Sequence, residues 1–166
     1  MKRLAIAITI LTVGAAGCGG SNSSPNNPSA IHVFNVQLSA QNEAPPITNA
    51  ESTGRGTAVI TINSDTNTVD FSVSLTGLSP TSNVTAAHIH GPNAPAGVNA
   101  GVLVSTGLVS GSVGLVNGAG TFNLTQGTAS ASTIQQILAS PQNFYFNVHT
   151  TLNTGGAARG QLARAN

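Results

Sequence analysis

The strongest constraint on this chain is a period of two. Between residues 31 and 164, apolar side chains alternate with polar ones in short runs separated by turn residues. Phe34, Val36 and Leu38 share one face of a first strand, Ala58, Ile60 and Ile62 one face of a second, and Phe71, Val73 and Leu75 one face of a third. Such alternation turns one row of side chains to a core and the other away from it. The polar segment Ser64-Asp65-Thr66-Asn67 reads as the loop of a hairpin between the second and third strands. Further strands are expected at 84–90, 101–109, 119–125, 143–150 and 157–163. The pattern predicts an all-β chain, an antiparallel β-sandwich or flattened barrel of about eight strands. One short helix interrupts it. Ser132 and Gln135 have capping-box spacing, Ile134, Ile137 and Leu138 form an apolar stripe, and Pro141 marks the stop. This helix is expected to plug one end of the sandwich.

The N-terminus reads as an export signal. Lys2 and Arg3 precede the apolar run Leu4 to Val13, which is too short to span a bilayer. Ala15-Ala16-Gly17-Cys18 resembles a bacterial lipobox, with alanine at a position where leucine is usual. Residues 1–17 are then a lipoprotein signal peptide and Cys18 the lipidated first mature residue. Ordinary secretion is the alternative, because Gly14 and Ala16 also satisfy the small-x-small rule. Residues 19–30 carry no charge and no apolar face, so 18–30 is expected to be an anchor followed by a flexible linker. Residues 31–166 suit one domain with one core. The expected location is the bacterial cell envelope, on the outer membrane through the lipid, with the domain facing the periplasm or the exterior.

Charge narrows the partners. Removal of the signal leaves Arg55, Arg159 and Arg164 against Glu43, Glu51, Asp65 and Asp70, a net charge of −1. That balance excludes a basic nucleic-acid surface. Cys18 is the only cysteine, so the domain is expected to fold without disulfides.

Chemistry concentrates in histidines. In a strand, His88 and His90 point to one face and Ile89 to the other. In the segment 144–150, Phe144, Phe146 and Val148 take one face while Tyr145, Asn147 and His149 take the opposite one. If these strands are neighbours, His88, His90 and His149 converge as a three-imidazole shell suited to zinc or copper. Asn147, Tyr145 or Gln161 are candidates to orient the second ring nitrogens. The same residues also suit a structural role, with the rings tying down the long Gly91–Gly101 loop. Both readings stand at this point. No glycine run precedes a helix to cradle phosphate, no cysteine nucleophile is present, and no Ser-His-Asp set stands out, so catalysis has little support.

Three motifs recur together: Gln41-Asn42-Glu43-Ala44-Pro45-Pro46, Ala87-His88-Ile89-His90-Gly91-Pro92, and Asn147-Val148-His149-Thr150 followed by Arg159-Gly160-Gln161-Leu162. In their order and spacing the chain resembles the CHRD domain, a module named after chordin and found alone in microbial exported proteins. Glu43 and Arg159 occupy motif positions, and the mature chain offers few other charges. A partly buried Glu43–Arg159 ion pair is therefore expected to pin the Pro45-Pro46 loop to the last strand, with Arg159 as an anion ligand the alternative. Breaking such a pair typically costs ~3–5 kcal/mol. Ala44 replaces the family's usual valine, and Gly156-Ala157-Ala158 lacks the glutamate common before the arginine, so this segment supplies no acidic ligand. The H-x-H strand also invites comparison with copper–zinc superoxide dismutase, but that dinuclear site needs more histidines than the 4 present. The resemblance implies a non-enzymatic binding module with an unidentified protein or glycan partner. The other reading is a zinc- or copper-binding protein built on the three histidines.

Overall fold

The computed structural model describes residues 30–165. The expected export signal, Cys18 and the expected linker up to residue 29 lie outside the described residues. The alternation becomes ten strands: β1 (Ile31–Ser39), β2 (Arg55–Asn63), β3 (Thr68–Thr76), β4 (Asn83–His90), β5 (Val102–Ser105), β6 (Val113–Gly114), β7 (Gly120–Thr128), β8 (Tyr145–Thr150), β9 (Ala158–Gln161) and β10 (Ala163–Arg164). They form one antiparallel sheet in the order β5-β4-β8-β9-β1-β2-β3-β7, with β6 on β4 and β10 on β1. The main path of eight strands curls into a nearly closed barrel, as the alternation predicted.

The inward rows are the expected ones. Phe34, Val36, Ala58, Ile60, Ile62, Phe71 and Val73 are buried in a single core. Phe71 on β3 and Phe146 on β8 stack at 5.6 Å between ring centroids. These strands are not neighbours in the sheet, so the two rings meet across the interior. The hairpin loop 64–67 also forms as read, with Asn63 Oδ1 accepting from the Asp65 and Thr66 amides.

Several boundaries differ from the sequence reading. The run 101–109 keeps only Val102–Ser105 as strand, because Gly107 takes a φ of 73° and Thr106 turns its hydroxyl onto the Ala87 carbonyl. β6 and β10 are two residues each, too short to carry a period. The helix α1 spans Ala131–Ala139, and its cap is Ser130, whose Oγ accepts from the Thr133 amide at 3.1 Å. Ser132 lies in the first turn, so the Ser132–Gln135 capping box is not the one used. Ile134 and Ile137 do face the core.

β8 is the most enclosed strand. All six of its residues are buried. One face packs on the core, and the 40–54, 91–101 and 151–157 segments cover the other. The loops make the face that carries Tyr145, Asn147 and His149 a polar interior.

Candidate metal centre

β4 and β8 pair antiparallel, with His88 opposite Asn147, His90 opposite Tyr145 and Ala86 opposite His149. His88 and His90 are two residues apart on one strand, and His149 lies diagonally across from His88. Diagonal cross-strand neighbours are close enough for long side chains to meet. One ring nitrogen from each histidine lies within 4.8 Å of one from each of the others. His88 Nδ1 and His149 Nε2 are 3.1 Å apart. Two imidazole nitrogens bound to one tetrahedral zinc at 2.0–2.1 Å stand about 3.3 Å apart. The pair therefore already has ligand spacing.

Backbone carbonyls set the rings. His90 Nδ1 donates to the Ala100 carbonyl and His149 Nδ1 to the Thr154 carbonyl, both at 2.9 Å. Each bond places the ring proton on Nδ1 and leaves a lone pair on Nε2. His149 Nε2 spends its lone pair on His88. His90 Nε2 is buried and has no partner. Leaving a buried acceptor unpaired costs about 1–3 kcal/mol. Burial, reinforced by the neighbouring imidazoles His149 and His90, lowers His88 to about 4. Burial also lowers His149, against its Thr154 hydrogen bond, and His90 lowers it further. Near neutral pH these two rings carry their lone pairs, the form that ligates metal.

The ring nitrogens are held by carbonyls rather than by the side chains expected to orient them. Tyr145 stacks flat on His90 at 4.7 Å and 1° between planes. Asn147 hydrogen-bonds the Glu43 side chain, and the Gln161 amide donates to the Ala94 and Gln142 carbonyls. The chain supplies carbonyls where side chains were expected, because the loops fold down onto this face.

Beside the histidines lies the second constellation. Glu43 and Arg159 are neighbours, and the charge of Arg159 acts on Glu43. The guanidinium hydrogen bond, however, goes from Nη1 to Asn99 Oδ1 at 2.8 Å. Asn99 in turn donates to the Ala44 carbonyl at 2.7 Å, and Asn42 donates to the Arg159 carbonyl at 3.1 Å. Amides thus fasten the Pro45-Pro46 strap to β9. Burial raises Glu43 to about 7, while Arg159 and the Asn147 hydrogen bond hold it back. Gly156 makes this approach feasible: a Cβ there would lie 2.7 Å from Glu43 Oε1.

Sequence reasoning passed over two residues. Asn99 sits in a loop with no periodic signal. Glu51, fully buried, accepts from Thr150 Oγ1 at 2.6 Å and from Asn153, tying the 40–54 segment to the end of β8. Its signal was scarcity, since it is one of only 4 acidic residues.

No curated protein and no solved structure matches the chain. The family model of the CHRD domain matches residues 34–162, a span that includes the barrel core, all three histidines, Glu43 and Arg159. On that match the chain belongs to the CHRD domain family.

Proposed function

We propose that this CHRD domain is a non-enzymatic metal-binding module that holds one zinc or copper ion through His88, His90 and His149. The observation that carries the reading is His90 Nε2, a buried lone pair without a partner beside two further imidazole nitrogens. A metal ion satisfies it and replaces the proton shared by His88 and His149. The loop tie and the metal site, alternatives in the sequence, are compatible in the folded chain. Each carbonyl takes one nitrogen of its ring, and a different nitrogen is left for the metal. The interaction-module reading rests on the family, whereas the metal reading rests on named atoms.

The setting completes the proposal: an exported lipoprotein, anchored through Cys18 to the cell envelope, that carries the metal site in its folded domain. The test is elemental analysis of the purified protein after incubation with zinc or copper and desalting. About one ion per chain is expected, lost in a folded His88/His90/His149→Ala variant. Equal metal in both proteins, or none in either, sinks the reading.

A further inference from the structure

The Gln41–Pro46 and Arg159–Gln161 motifs are not used by the histidine centre, yet together they enclose a cavity of about 580 Å³. Its walls come from the Pro45-Pro46 strap, the Ala96-Gly97 tip of the neighbouring loop and the start of β9. Two ionisable residues line it, Glu43 at 7 % exposure and Arg159 at 1 %. Each ends in a buried atom with no hydrogen-bond partner, Glu43 Oε1 and Arg159 Nη2. Folded proteins pair nearly all such atoms, and an unpaired one on a charged group is the more costly kind. The guanidinium is already held by Asn99 through Nη1 and lies over the Tyr145 ring at 4.3 Å. Its free nitrogen is therefore oriented before any ligand arrives.

We propose that this cavity binds the carboxylate of a small ligand with a short apolar body, such as the free C-terminus of a peptide, through hydrogen bonds from Arg159 Nη2 and the Glu43 carboxyl group. The charge count favours this class. The guanidinium carries one positive charge, which a single carboxylate balances and a doubly charged phosphate exceeds. The apolar wall of Ala44, Pro45, Pro46 and Ala96 suits a small aliphatic body rather than a sugar. Glu43 can donate because burial raises it to about 7, so a substantial share of it stays protonated at neutral pH, unlike an ordinary carboxyl. Arg159 from β9 is the charged group acting on it, and Asn147 from β8 is its uncharged neighbour. Two adjacent carboxyl groups share one proton, so binding draws a proton onto Glu43.

The experiment is calorimetric titration of the purified protein with acetyl-alanyl-alanine and with the same dipeptide as its C-terminal amide. The acid should bind at least roughly tenfold more tightly than the amide, since a charge-assisted hydrogen bond is the stronger kind. Affinity for the acid should fall about tenfold per pH unit above 7 in wild type and stay flat in Glu43→Gln. Arg159→Gln should abolish the preference for the acid. Ala96→Trp, at an exposed rim position, should block binding while leaving the melting temperature unchanged, which keeps the test decisive even if Arg159→Gln unfolds. Equal binding of acid and amide, no binding of either, or full binding by Ala96→Trp overturns the proposal.

Discussion

At the scale of single residues, the buried ionisable groups pull stability in opposite directions with pH. The folded-state value of Glu43 lies above its ordinary 4.5, at about 7, because burial disfavours the carboxylate. Its contribution is fully present below 4.5 and is lost as pH rises through 7. The loss is on the order of 3 kcal/mol. Glu43→Gln should therefore match wild type near pH 4 and exceed it by about that amount at pH 8, read from urea midpoints. Parallel pH profiles for the two proteins would count against a buried carboxyl held protonated by its surroundings. The histidines run the other way. His88, lowered to about 4, stabilises fully above 6.5, and that contribution fades as pH falls toward 4. His88→Ala should accordingly flatten the acid limb of the stability profile, and an unchanged limb would argue for a solvated ring. The histidine trio was legible in the sequence because alternation on two strands assigns each ring a face. Asn99 and Glu51 were not, because a loop side chain reveals its partner only after the chain has closed.

At the scale of elements, alternation located the long strands well and the short pieces poorly. A two-residue strand such as β6 exists because β4 offers it a partner, not because its own residues prefer extension. The helix was found from its apolar stripe, but two serines compete for its start. The Ser130 hydroxyl caps, so Ser130→Ala should cost about 1 kcal/mol, while Ser132→Ala should cost little. A thermal melt of the two variants separates them, and the reverse ranking would restore the cap predicted from spacing. Ile137 is fully buried at the core side of the same helix. Its truncation to alanine should cost roughly 2–5 kcal/mol, depending on how far the barrel end collapses.

At the scale of the molecule, the proposed metal site would couple to the stability of the barrel, because an ion that binds only the folded chain stabilises it by mass action. Zinc or copper at a hundred times its dissociation constant should add about 2.7 kcal/mol. A rise in melting temperature that follows metal concentration, and is absent from the triple alanine variant, is the expected result. A rise of equal size in both proteins would place the ion elsewhere. The all-β architecture was legible because a repeated period of two admits little else. The enclosure of β8 was not, because which loops fold back over a strand is decided by contacts between distant residues. The same remoteness sets an order of events. His88 and His149 are 61 positions apart and meet only when β4 pairs with β8. A freshly made or still-extended chain therefore has, at best, the two neighbouring rings of His88-Ile89-His90 and no three-point grip. An ion that needs all three rings could not template the earliest steps of folding. On the proposed reading it would enter after β4 and β8 have paired, and the compartment in which the chain folds would decide which ion it acquires.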